Sequence, residues 1–270
     1  MFKGNMVTEA IPARVYALYR IVADNDGIRR TDLQNMMEPP TLKKKESGKS
    51  KTSYFNEVLT CASELQLVEV KDNSVWVLIT PARLSDIHDM RLTAIRNLSE
   101  FHDTQFYKVT KSILEMNEKV FEMGGLSDLK MVDYLTKETG ENITNVRMNA
   151  WRFWAEFYGF GYVPSAGIFI PNAYRFLKSI LSISDLKVNT EYSFADFLAN
   201  INIYGSILTE ANTDIHTLNM ALSNGLRQLE QNKEIELLAQ NDRPVNYSLY
   251  PSKSFHISMV TAVIYKGVGK

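Results

Sequence analysis

Hydrophobic positions recur with a helical period from the start of the chain. Ile11, Val15, Leu18 and Val22 stand at i, i+4, i+7 and i+11, one face of a 3.6-residue helix. Pro12 suits the first turn of that helix, where its missing N–H costs nothing, and Asn25-Asp26-Gly27 supplies the turn that ends it. Thr31 and Gln34 have capping-box spacing for a short second helix, which stops before Pro39-Pro40. The polar run TLKKKESGKSKT reads as a loop. Phe55, Val58, Leu59, Ala62 and Leu65 mark a third helix. Two β-rich runs follow, Leu67–Val70 and Val75–Ile79, joined by Lys71-Asp72-Asn73-Ser74, a hairpin signal. Three helices and a two-stranded ribbon make the winged helix-turn-helix pattern, over about residues 8–81.

The pattern recurs. Ser127 is placed to cap a helix over Asp128–Lys137, broken by Gly140, and Thr144 to cap the long helix TNVRMNAWRFWAEFYGF. Short strands Gly161–Val163 and Gly167–Ile170 flank Pro164-Ser165-Ala166. A third instance begins at Ser193, a cap for FADFLANI, and Leu218, Leu222, Leu226 and Leu229 mark its later helix. Its expected ribbon pairs Glu234–Leu238 with Val245–Leu249 around Asn241-Asp242-Arg243-Pro244. Between the first two copies, residues 82–103 read as one helix. Phe106, Val109, Ile113, Met116 and Val120 then repeat at spacings of 3, 4, 3 and 4 until Gly124-Gly125, which suits a helix packed within the chain or a dimer seam. The tail SFHISMVTAVIY reads as an added strand or an interaction segment. The expected fold is mainly α with small β-hairpins (α+β): tandem winged helix-turn-helix modules joined by a helical connector. The expected divisions are a winged-helix domain at 1–81, a connector at 82–125, a second winged-helix-like module at 126–172, and a third with a β-rich tail at 173–270.

Composition narrows the setting. The chain has 270 residues, 45% of them apolar, with 30 basic against 31 acidic side chains. That is too apolar and too evenly charged for disorder, and it gives no whole-chain attraction to nucleic acid or anionic lipid. One cysteine, Cys61, cannot form an intramolecular disulfide, which points to a reducing cytoplasm. No stretch approaches the ~20 apolar residues of a membrane span, and the first residues do not read as a signal peptide, so no membrane partner is expected.

The sequence shows no catalytic or metal-binding motif. His88, His102, His216 and His256 are scattered, none in HExxH and none at ligand spacing from Cys61. Gly159-Phe160-Gly161 begins like GxGxxG, but it lies between helix and hairpin, where a phosphate-binding turn needs strand and then helix. Carboxylate pairs such as Asp86/Asp89 are expected by chance among so many acids. We therefore expect no enzyme, cofactor or metal site.

Nucleic-acid contact has a better basis. Lys43, Lys44, Lys45, Lys49 and Lys51 fall in nine residues with Glu46 as the one opposing charge, directly before the first recognition-position helix. Lysines there can neutralise phosphates, or simply keep a long loop soluble. That helix presents Thr52, Ser53, Asn56 and Glu57. The second offers Arg147, Asn149 and Arg152 as DNA-contact candidates, but Trp151, Phe153, Trp154, Phe157 and Tyr158 surround it with apolar bulk. Trp151 and Trp154 therefore read as core or as a candidate partner interface, ahead of base stacking. The third offers Asn219, Ser223 and Arg227.

Three segments carry a resemblance: IPARVYALYRIVADNDGIRRTDLQNMMEPPTL, RFWAEFYGFGYVPSAGIFIPN and LNMALSNGLRQLEQNKEIELLAQNDRPVNYSLYP. Together they resemble DpdG proteins, which accompany bacterial systems that place 7-deazaguanine derivatives in DNA. They cover less than half of the chain, in the expected order, and are fold patterns that carry no catalytic motif. The resemblance implies membership of a multi-protein phage-defence or restriction module, in which we expect the chain to serve as a non-enzymatic adaptor. Its expected partners are other proteins of that complex, an ATPase or nuclease among them, together with DNA and a second copy of the chain. The rival reading is an autonomous winged-helix transcriptional regulator that binds DNA as a dimer.

Overall fold

The computed structural model describes residues 1–39, 54–164, 167–212, 214–240, 245–252 and 258–269. It is a mixed α+β fold in which helices dominate and the strands form small antiparallel sheets. The first part runs α1 (Pro12–Asp24), β1 (Ile28–Arg29), α2 (Arg30–Met37), α3 (Tyr54–Glu64), β2 (Val68–Lys71) and β3 (Ser74–Val77). Its sheet has the order β1–β3–β2. Asp72 and Asn73 both take the left-handed conformation, at φ 51° and 59°, which two-residue hairpin turns require. That turn pairs Lys71 with Ser74 and Glu69 with Trp76.

Next come α4 (Ile87–Arg96), α5 (Gln105–Glu115), α6 (Leu129–Thr139), α7 (Asn145–Tyr158), and the strands β4 (Gly161–Tyr162) and β5 (Ile170–Pro171). The single helix expected over 82–103 is not formed. α4 stops at Arg96 because Asn97 leaves helical geometry and donates its side-chain amide to Leu65 O at 3.1 Å. A 3-10 turn at Leu98–Phe101 then drives Leu98 and Phe101 into the core. The heptad-like stretch is likewise two pieces, α5 and a 3-10 turn at Asn117–Phe121, separated where Asn117 takes φ 52°. Its apolar positions Phe106, Val109, Ile113, Met116 and Val120 are all buried within the chain.

The last part runs α8 (Tyr174–Ile183), β6 (Thr190–Ser193), α9 (Phe194–Glu210), α10 (Met220–Gln231), β7 (Ile235–Leu238), β8 (Tyr247–Ser248), β9 (Met259–Val260) and β10 (Ala262–Tyr265). The stretch expected as the third module, 173–270, thus opens with α8 and β6 before the Ser193-capped helix. Its ribbon also differs from expectation. β7 pairs with β10, not with residues 245–249, and the sheet order is β6–β10–β7. Ala262, Val263 and Tyr265 are buried, and an apolar strand is best placed between two others. Tyr247–Ser248 pairs instead with Met259–Val260. Helix, strand, helix, helix and then two more strands of the same sheet, in one sheet order, therefore occur at both ends of the chain, with β8 and β9 inserted before the closing strand of the last part.

One apolar cluster joins all of these parts. Phe2 sits in it, stacked on Phe101 at 4.6 Å and edge-on to Phe106 at 5.2 Å and to Trp154 at 4.8 Å. The Glu64 carboxylate at the end of α3 holds this segment, accepting from Phe2 N at 2.7 Å and Lys3 N at 3.1 Å. Helix starts follow capping chemistry with two departures from expectation. Asp128, not Ser127, caps α6, while α2 starts after Arg29 with no side-chain cap. Thr144 caps α7 as expected, its hydroxyl accepting from Arg147 N at 3.3 Å. Thr144→Ala should lower unfolding stability by about 0.5–2 kcal/mol, read from the urea midpoint, whereas Thr144→Ser should leave it nearly unchanged.

Candidate nucleic-acid and partner-facing surfaces

The lysine candidates Lys43, Lys44, Lys45, Lys49 and Lys51 lie outside the described residues, as do Thr52 and Ser53. The start of α3 that follows them is firmly held. Phe55 N donates to Glu38 Oε1 at 2.9 Å, the Tyr54 hydroxyl donates to Met37 O, and the Arg14 guanidinium lies 4.8 Å from the Tyr54 ring centre. Phe55, Val58, Leu59, Cys61 and Ala62 turn inward, leaving Asn56 and Thr60 exposed. Arg30, at the start of α2, donates from Nη2 to Asn56 Oδ1 at 2.9 Å. An arginine and an amide therefore stand preoriented on the outer side of the helix pair. The spacing of Arg30 and Asn56 in sequence gives no hint of this contact, which arises because α2 and α3 both pack on α1.

The corresponding helix of the middle part, α7, is committed elsewhere. Trp151 and Trp154 are fully buried, so within this chain they are core and not a partner surface. Trp151 Nε1 donates to Thr110 Oγ1 at 2.9 Å, and Trp154 Nε1 donates to Ala10 O at 2.7 Å. The apolar bulk of this helix joins α7 to α5 and to the entry of α1. Arg147 donates to Asn142 O, and Arg152 lies 5.2 Å from the Phe153 ring centre with its Nε buried and without a hydrogen bond. Asn149 is exposed but accepts from Ser127 Oγ at 3.2 Å. These arginines are engaged by their own neighbours.

In the last part α10 turns its candidate polar residues inward. Asn219, Ser223 and Arg227 are buried. Asn219 Nδ2 donates to Leu208 O at 2.6 Å, and Ser223 Oγ accepts from Tyr250 N at 2.8 Å. Leucine periodicity located this helix but could not show that its polar residues face the protein.

His88 and His102 are exposed, and His102 Nε2 lies 3.3 Å from Glu210 Oε2. The Glu210 carboxylate also accepts from the Tyr107 hydroxyl at 3.0 Å, so this polar group ties α5 to the end of α9. His256 lies outside the described residues. Cys61 is buried, and burial pushes its thiol pKa far up, leaving no thiolate nucleophile at neutral pH. Among the described residues no group of three or more His, Cys, Asp or Glu side chains is arranged to hold a metal ion. No helix of the described residues is long and apolar enough to cross a membrane.

Sequence reasoning also passed over Trp76. It lies on β3 with 41% of its surface exposed, whereas Trp151 and Trp154 are closed to solvent. Its six-membered ring lies over Gly27, where an added Cβ would come within 2.7 Å of Cη2. The alternation of Ser74-Val75-Trp76-Val77 held the signal, since a strand with Val75 inward must turn Trp76 outward. Comparison of the chain with protein-family models, with curated proteins and with solved structures returned no match.

Proposed function

We propose that the chain is a non-enzymatic tandem winged-helix adaptor of a bacterial DNA modification–restriction system active in phage defence. It touches DNA through its first module and holds protein partners with the rest. The winged-helix reading is supported by the element order and sheet order shared by the two ends of the chain. The observation that carries the division of labour is the fate of the three recognition-position helices. α10 buries Ser223 and Arg227 and α7 commits its tryptophans to the core, whereas α3 keeps Thr60 in solvent and Asn56 exposed and bonded to Arg30. Winged helices serve protein docking as readily as DNA reading, and the burial of Trp151 and Trp154 on α7 and of Ser223 and Arg227 on α10 favours an adaptor over a regulator. The three segments that resemble DpdG proteins supply the defence setting, and the cytoplasm is the fitting compartment.

The test is duplex DNA binding across a salt series, read by fluorescence anisotropy. With Lys43, Lys44, Lys45, Lys49 and Lys51 changed to alanine, the slope of log K against log salt should fall by about 0.9 for each phosphate no longer neutralised. An unchanged affinity and slope would remove the loop from the DNA interface. A strong preference for one promoter sequence over random duplex would favour the transcriptional regulator instead.

A further inference from the structure

The outer face of the first sheet carries a second arrangement, apart from the lysine run at residues 43–51. Strand pairing places Arg29, Ser74 and Lys71 side by side in one row across β1, β3 and β2. Two residues along β3 and β2, about 7 Å away, the next row on the same face pairs Trp76 with Glu69, and the Trp76 ring reaches Gly27 just before β1. Leu78 follows, 49% exposed. Arg29, Lys71 and Glu69 are exposed, and none forms an ion pair among the described residues. The remaining acids nearby are Asp72, in the turn, and Asp26, whose carboxylate accepts from Val77 N at 2.9 Å. The six-membered ring of Trp76 rests against Gly27, where no side chain intervenes, and 41% of the residue stays open to solvent.

We propose that this face is a stacking platform for an unpaired nucleobase, with Trp76 beneath the base, Arg29 and Lys71 at the phosphates and Glu69 at the base edge. An aromatic ring with cations one row away is the pairing of groups that binds single strands without sequence preference. Glu69 lies directly across from Trp76 and is an acceptor, so it favours bases that offer an exocyclic amino group. The site deepens the nucleic-acid reading of the first module and rests on it, but it commits that module to single strands or to displaced bases. A protein contact through the same tryptophan is the competing outcome.

Because the other two tryptophans are buried, emission from Trp76 reports on the face directly. Titrating the full chain with a short oligothymidylate should quench and saturate the solvent-exposed component of tryptophan fluorescence. Trp76→Ala should abolish that quenching and weaken single-strand binding roughly 5- to 150-fold, while Trp76→Phe should retain most of the affinity. Arg29→Ala with Lys71→Ala should lower the salt slope by about 1.4, for two single-strand phosphates no longer neutralised, with the quenching at saturation preserved. Oligocytidylate should bind more tightly than oligothymidylate, and Glu69→Gln should narrow that difference. No quenching at saturating oligonucleotide, or equal binding by Trp76→Ala, would overturn the proposal and leave the face to a protein. The loop-lysine variant separates the two claims: it should lose duplex binding and keep the oligothymidylate quenching.

Discussion

Trp154→Ala is expected to destabilise the protein by about 3–5 kcal/mol, the heaviest loss we expect from one substitution in this chain. The indole is fully buried, with Phe2 edge-on at 4.8 Å and Phe157 edge-on at 5.3 Å. Truncation opens a cavity lined by rings that cannot collapse into it. It also strips Ala10 O of its donor at 2.7 Å, and an unsatisfied buried carbonyl adds about 1–3 kcal/mol. Trp154→Phe keeps most of the volume and loses the hydrogen bond, so its cost should be clearly smaller. Urea unfolding followed by circular dichroism measures both. A loss below about 1 kcal/mol for the alanine variant would mean that α7 does not organise the core.

Gly225→Val should come next. Gly225 lies within α10, where a glycine costs roughly 1 kcal/mol relative to alanine, so it is there for another reason. A Cβ at this position would come within 2.8 Å of the Ala173 carbonyl carbon, of Tyr174 N and of Leu177 Cδ1. Two of those three atoms are backbone at the start of α8, which Ala173 N fixes further by donating to Ala221 O at 2.9 Å. Overpacking commonly costs about 1–3 kcal/mol, and the valine variant belongs at or above the top of that range. Gly225→Ala recovers helix propensity and meets the same obstacle with one methyl, so its loss should be smaller. Melting temperatures of the two variants decide the matter. An alanine variant as stable as the parent would show that α8 and α10 separate at no cost.

Local signals were legible where a residue acts on its own neighbours. The Ile11-Val15-Leu18-Val22 stripe gave α1, Thr144 gave the start of α7, and Asp72-Asn73 gave the first hairpin. What escaped depends on distant parts of the chain. Nothing near Asn97 announces that its amide will be taken by Leu65 O, which ends α4 early. Val245–Leu249 is closer in sequence to β7 than β10 is, yet β10 wins the pairing because its buried residues need cover on both edges. The site followed the same rule. Lysine density over residues 43–51 was visible, but the contact between Arg30 and Asn56 and the seating of the Trp76 ring on Gly27 arise from packing. The aromatics of α7 are conspicuous in sequence, and whether such rings serve core or partner is settled by what surrounds them.

The order of the last sheet also bears on how the chain acquires its structure during synthesis. β6 and β7 do not pair with each other. Both pair with β10, which follows β6 by some seventy residues. Until residues 262–265 have left the ribosome, two strands wait with open edges, the condition under which nascent chains associate wrongly. Stalling translation before that point should therefore yield a last module that proteases and chaperones recognise, while the first sheet, whose three strands lie within residues 28–77, is already closed.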